Sequence, residues 1–278
     1  MTNTLKYEFT KEPRWIGLAV LLAMIAVGCV AFGIWQFDRR AEAAQKIELL
    51  EANWDSPAKN WETFFTVPET GKANENHEWH DQYRWQSIAL QGEFNYESAV
   101  TVRNRFQFGE MGKIWLVPFN SKNGTVWVDR GWLNANDTVP SVESGQNVTV
   151  VLRATPIEPK IPGREDTPAS ETEPSSLASI HEGALSSVPG AINSMYFELV
   201  SEEPPSPTGT PLAKPELDEG PHLSYALQWF VFALMAIFGY FWLVRNEAKA
   251  LAVMEDAHRE LEPEIQNVQK ELQNRYGR

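Results

Sequence analysis

Two long apolar runs constrain this chain more than any other feature. Trp15–Phe37 (WIGLAVLLAMIAVGCVAFGIWQF) holds 23 residues without a charge, and Leu223–Val244 holds another 22. As helices each would reach roughly 33 Å, enough to cross a hydrocarbon core of about 30 Å. Trp15, Trp35, Trp229, Tyr240 and Trp242 stand near the ends of the runs, where amphipathic rings favour a membrane interface. A buried helix of a soluble protein rarely runs so long without a polar face. The sequence therefore predicts two membrane spans, 15–37 and 223–244. Around them lie a short N-terminal tail (1–14), a large intervening domain (38–222) and a C-terminal tail (245–278).

The first run does not read as a cleaved signal peptide, since no small-x-small site follows it and it is too long. The stretch AVGC ending at Cys29 is a poor lipoprotein box, because a box should close the apolar run and here VAFGIWQF continues. An uncleaved anchor is the expectation.

Orientation follows from the basic residues. The N-terminal tail carries Lys6, Lys11 and Arg14, and the C-terminal tail carries Arg245, Lys249, Arg259, Lys270, Arg275 and Arg278. Between Ala41 and Pro221 there are 13 Lys and Arg against 27 Asp and Glu. Arg39 and Arg40 oppose the trend weakly, but ELDEG before the second run and RNEAK after it give a clean asymmetry. Both termini are expected in the cytoplasm and the large domain outside it. That domain carries nearly all of the net charge of −13, which excludes a nucleic-acid partner and otherwise suits solubility. The single Cys29 lies inside the first run, so the outer domain has no disulfide.

In DRRAEAAQKIELLEANW, Ile47, Leu50 and Trp54 keep helical spacing, which predicts that the first helix continues beyond the span. Strand signals then follow in YRWQSIALQGEF, SAVTVRNRFQF, KIWLVPFN, TVWVDRGWL and NVTVVLRAT, with a hairpin at Lys122-Asn123-Gly124. In TVWVD, Val126 and Val128 share one face and Thr125, Trp127 and Asp129 the other. The expected fold is membrane α plus extracytoplasmic β, two transmembrane helices enclosing an antiparallel sheet or barrel. Eleven prolines among Glu, Ser and Thr between Pro156 and Pro215 predict a poorly ordered excursion, with NSMYFELV as one returning strand. The C-terminal tail is charged and helix-prone, with an expected break at Pro263.

No phosphate loop, nucleophile elbow, zinc-protease motif or metal-spaced Cys pair occurs, so no enzyme is expected. Met and Cys are too sparse for a copper chaperone. His77 and His80 form the one close His pair, in a loop-like stretch without an obvious third ligand, and read as exposed loop histidines. Asp129 and Arg130 read as an ion pair at a sheet edge beside a glycine bulge, rather than as a catalytic pair. His222 differs by position. An imidazole at the outer end of a span can ligate haem iron, with Tyr225, Trp229 and Phe232 below it at helical spacing. The plainer reading is an interfacial histidine satisfied by water or by Glu219 above an ordinary aromatic belt. One histidine leaves both open.

Four stretches in this order resemble a known family. FGIWQFDRRAEAAQKIELL carries a Gly-x-Trp-Gln-x-x-Arg signature at Gly33, Trp35, Gln36 and Arg39 or Arg40. YRWQSIALQGEF and VDRGWL follow, and HLSYALQWFVFA opens the second span. Together they resemble the Surfeit locus protein 1 family of cytochrome c oxidase assembly factors, over both ends and over Tyr83–Leu133. The resemblance implies a non-enzymatic role in maturing the haem-bearing catalytic subunit of a haem-copper oxidase. It also implies transient binding of haem A, with His222 as candidate axial ligand. It places Trp35, Gln36, Arg130, Gly131 and Trp132 at family motif positions without assigning each a role. Arg39 and Arg40 are candidate partners of haem propionates on charge and depth alone. The short N-terminal tail leaves no room for a mitochondrial presequence, so a bacterial plasma membrane is expected. The alternatives are a haem-free scaffold or accessory subunit packed on the oxidase, and an unrelated envelope sensor with a ligand-binding outer domain. The Pro-rich excursion and the tail beyond Lys249 are longer than the resemblance leads one to expect.

Overall fold

The computed structural model describes residues 5–66, 72–169 and 174–276. In chain order its elements are α1 (Pro13–Asn53), α2 (Trp61–Phe64), β1 (Ser87–Phe94), β2 (Val100–Gln107), β3 (Glu110–Ser121) and β4 (Gly124–Asn134). They continue with β5 (Val148–Pro156), β6 (Ser176–Leu177), α3 (Glu182–Leu185), β7 (Met195–Glu203) and α4 (His222–Tyr276). The chain divides into two units, residues 1–44 with 218–278, and residues 45–217.

In the first unit, α1 and α4 pack through small residues. Ala26 and Cys29 meet Ala233, and Phe32 stacks on Trp229 with ring centroids 5.0 Å apart. Gly33 belongs to this seam. A Cβ there would come within 2.8 Å of the Phe230 ring, so the glycine of the Gly-x-Trp-Gln signature is what admits Phe230. Farther along, Phe9 and Trp15 close on Val244 and Ala248. The outward surface is apolar, with Met24, Val27, Phe238 and Trp242 all exposed, and both helices are long and apolar enough to cross a membrane. The first helix does run on past Phe37, through Asn53, as Ile47, Leu50 and Trp54 predicted. The break expected at Pro263 does not occur, and α4 is helical through it to Tyr276. A proline removes one backbone bond and costs about 3 kcal/mol, and the Glu-, Gln- and Leu-rich turns on either side sustain the helix.

Among the described residues of the second unit the strands form one sheet of seven. Its pairings β1–β5, β5–β7, β7–β4, β4–β3 and β3–β1 return to their start, closing a five-stranded ring, with β2 and β6 extending from β3. The sheet is mixed, which corrects the antiparallel expectation. β4 runs parallel to β7 (Val128 opposite Phe197), and β2 runs parallel to β6. A ring with an odd number of strands cannot alternate direction all the way round, so closure demands at least one parallel pair.

Alternation fills the ring from every strand. Ile88, Leu90, Trp115, Val117, Phe119, Val126, Val128, Val150, Leu152 and Phe197 share the main core. The opposite face of β3 and β4 is also covered. Leu116 and Trp127 pack with Leu177, Ile180, Leu185 and Tyr196, and the Trp127 indole donates to the Leu185 carbonyl at 2.9 Å. The covering residues come from the Pro-rich excursion. Among the described residues that segment is folded against the sheet, contrary to the disorder its composition suggested, and its expected returning strand is β7. At the start of this unit, the Asn53 amide donates to the carbonyls of Gln82 and Arg84. Arg153 stacks 3.6 Å above Trp54.

Candidate functional site

The candidate residues fall into two groups, one in each unit. The first is at the head of α4. His222 is its first residue and is half-buried. Its Nδ1 lies 2.8 Å from Oε1 of Gln36 on α1. An amide oxygen only accepts, so Nδ1 carries the proton and donates. Nε2 then keeps its lone pair, and no hydrogen bond engages it among the described residues. Glu219, which the plainer reading offered as the partner of His222, instead accepts from Arg40 Nε at 2.7 Å.

The structure thus brings Gln36 and His222 together, with Arg40 and Glu219 paired in the same unit. Other candidates stand apart from them. Trp35 is exposed, with the Arg39 guanidinium 5.8 Å from its ring. Arg39 also pairs with Glu42 at 2.9 Å. Tyr225 is exposed, whereas Trp229 is turned onto Phe32 and meets Phe232 edge to face at 5.8 Å.

An iron-ligating imidazole needs one free ring nitrogen, and it gains basicity and a fixed orientation when the other nitrogen donates to an acceptor. His222 meets both conditions, so the residues present fit a haem iron at Nε2. Arg40 engages Glu219 through Nε alone, in an exposed pairing that costs little to break, which leaves its terminal nitrogens for a propionate.

The second group is Arg130, Gly131 and Trp132 on β4. Arg130 does not pair with Asp129. Adjacent strand residues point to opposite faces, so Arg130 faces the ring interior and Asp129 faces away. The Arg130 side chain is fully buried, with Nη2 2.8 Å from Glu202 Oε2 and 2.7 Å from Ser206 Oγ. Its guanidinium lies 4.0 Å from the Phe94 ring centroid and 5.3 Å from that of Trp115. An irregular register at Val200 of β7 is what turns Glu202 inward, three residues after Leu199 pairs with Leu152.

A bulge does occur at Arg130–Gly131, as expected, but on an interior strand. Gly131 has φ +108°, and a Cβ there would lie 2.6 Å from the Gly209 backbone. Reciprocal bonds of 2.8 Å between Trp132 and Thr210 and one of 2.9 Å from Gly209 to Arg130 tie the end of the excursion to the bulge. The Asp129 carboxyl accepts from the Gly131 amide at 2.7 Å, and burial pushes its pKa up to about 7. Burial likewise raises the carboxyl of Glu198, the cross-strand neighbour of Asp129. Burial alone would raise Glu158 too, but two hydrogen bonds and the charge of Arg105, with a hydrogen bond from the Ile180 amide, together hold that carboxyl below the usual range. Burial disfavours the charged forms of Asp129 and Glu198, whereas Glu158 is held charged by its partners.

Sequence reasoning missed Glu202, Ser206, Gly209 and Thr210, because all lie in the excursion. The available signal was Arg130 itself, a cation in an apolar strand that had to find a carboxylate. His77 is not an exposed loop residue either. It is half-buried, edge-on to Phe65 at 4.6 Å and to Trp61 at 5.3 Å, and burial lowers its pKa. Among the described residues no group of three or more His, Cys, Asp or Glu is arranged to hold a metal ion.

The model of the SURF1 family matches residues 23–234. An uncharacterized SURF1-like protein of Mycobacterium bovis is 26% identical over 98% of both chains. An uncharacterized SURF1-like protein of Mycobacterium tuberculosis is similar to the same extent.

Proposed function

The chain belongs to the SURF1 family, and from that premise we propose that it is a two-span membrane protein that holds haem A in transit to the catalytic subunit of a cytochrome c oxidase, with His222 Nε2 as axial ligand. SURF1 proteins are associated with oxidase assembly and are not known as enzymes. In this reading α1 and α4 lie in a bacterial plasma membrane, both termini are cytoplasmic, and residues 45–217 stand outside. The basic tails and the acidic middle support that orientation.

The observation that carries the haem reading is the hydrogen bond from His222 Nδ1 to Gln36 Oε1 at 2.8 Å. It fixes the tautomer and leaves Nε2 as the available donor atom. Bound there, haem would supply an iron for the His222 imidazole nitrogen to ligate. The protein's own part is to orient His222 through Gln36, to hold Arg40 within the same unit as a cation for carboxylates, and to present the exposed Tyr225 ring one turn along α4 from His222. A haem-free scaffold is the second reading, supported by the exposed aromatic surface of Phe238, Phe241 and Trp242 on α4.

The test is a visible spectrum of the full-length chain purified from cells that make haem A, beside His222→Ala. A haem spectrum that disappears in the variant supports delivery. A haem-free wild-type protein under those conditions would falsify it and leave the scaffold.

A further inference from the structure

Every residue of α4 from Lys249 to Tyr276 is exposed. A helix with no packed face lacks what sustains most helices in proteins, which is the burial of an apolar stripe. Such a stripe exists here. Leu251, Met254, Leu261, Ile265, Val268 and Leu272 follow one another at alternating spacings of three and four once His258 is included, with exposures between 42% and 68%. That is an a/d heptad seam. Pro263 falls at the outermost position of its heptad, away from the seam, and leaves it uninterrupted.

The seam continues a face that is already partnered. Ala233, Val244 and Ala248 of α4 pack on α1 and on Phe9, but α1 begins at Pro13 and covers nothing past Ala248. No described segment of the chain covers the rest.

We propose that the occupant is a second copy of this chain, and that the two α4 tails pair as a parallel, in-register coiled coil. Charge does not oppose self-pairing in one register. The residues flanking the seam are acidic or neutral, with Glu255, Glu262, Glu264 and Glu271 and no Lys or Arg. In the parallel register each g position meets the e position five residues on in the other copy. The facing pairs are then Ala257 with Glu262, Glu264 with Gln269, and Glu271 with Tyr276. No two carboxylates meet. His258 at an a position is a polar residue of the kind that fixes register. The tail emerges without a break from the apolar part of α4, so copies anchored in one membrane send their tails the same way. This pairing does not depend on haem.

The test uses the full-length chain in its membrane with Cys29→Ala as background. Ile265→Cys and Leu261→Cys place thiols on the seam, while Asn267→Cys and Val253→Cys place them outside it. Under mild oxidation the seam variants should form a covalent dimer of doubled mass and the outer variants should stay monomeric. Equal cross-linking of both classes, or none in both seam variants, overturns the pairing. Cross-links from the seam solely to a different protein also overturn it, in favour of a helix carrying Lys or Arg at its flanking positions.

Discussion

His222 and Gln36 stand 186 residues apart in the chain and are joined by a hydrogen bond of 2.8 Å. The ends of the two apolar helices that carry them enclose the whole of the β unit in sequence. The bond makes Gln36 a positioning residue for His222. Orienting partners of this kind typically contribute 10–100-fold to metal affinity. In haem titrations of the purified chain, Gln36→Leu should weaken binding roughly tenfold or more, and Gln36→Glu, which still accepts from Nδ1, should restore most of it. Equal losses in both would show that the amide acts through packing alone.

Arg40 and Glu219 are both partly exposed, and pairs of this kind contribute about 0–1 kcal/mol. Glu219→Gln should therefore leave the melting temperature almost unchanged. It should also free Arg40, so haem affinity should rise in low salt and the gain should shrink as salt is added. A fall in affinity would mean that Glu219 itself serves the site.

Arg130 and Glu202 should behave in the opposite way. Their side chains are 0% and 4% exposed, and removing one partner of such a pair costs about 3–5 kcal/mol. Glu202→Leu alone should destabilise the β unit by that order in denaturant unfolding. Arg130→Met combined with Glu202→Leu should recover a large part of the loss, because neither charge is left alone in the ring. A double variant as unstable as the sum of the two singles would place the cost elsewhere, in the contacts to Phe94 and Ser206.

The Asp129 carboxyl, raised to about 7 in the fold from about 3.9 in an unfolded chain, makes stability depend on pH. The native state favours the protonated form. Its contribution is complete below about pH 4 and is lost as pH rises toward 7, by up to about 4 kcal/mol. Asp129→Asn keeps an oxygen for the Gly131 amide and removes the titration. Wild-type stability, measured against that variant by chemical denaturation, should decline from pH 4 to pH 7. A constant difference across the window would show that Asp129 stays charged in the fold.

Local patterns in the sequence were reliable where they specify local structure. The uncharged runs, the alternation in β1–β5 and the Asn-Gly hairpin all appear in the fold, and so does the bulge at Gly131. What depends on partners distant in sequence was not legible. The mixed sheet follows from ring closure, which no single strand announces. The order of the described residues between 156 and 215 comes from Leu177, Ile180, Leu185 and Tyr196 meeting Trp127 and Leu116 across the sheet, while the prolines of the segment taken alone suggest disorder. The pairing of Asp129 with Arg130 was avoidable, since neighbours in a strand face opposite ways. At the site, His222 stood out by position, but its bond to Gln36 required two helices from opposite ends of the chain to meet.

The five-stranded ring also sets an order of events during synthesis. β7 lies between β5 and β4 and is the last strand to leave the ribosome. Until residues 195–203 have been delivered to the compartment where the domain folds, β4 and β5 each present a bare edge, and Arg130 has no carboxylate. The ring therefore cannot close until nearly all of the chain that precedes α4 has been delivered. Any task performed by the head of α4 begins with a domain that has only then become whole.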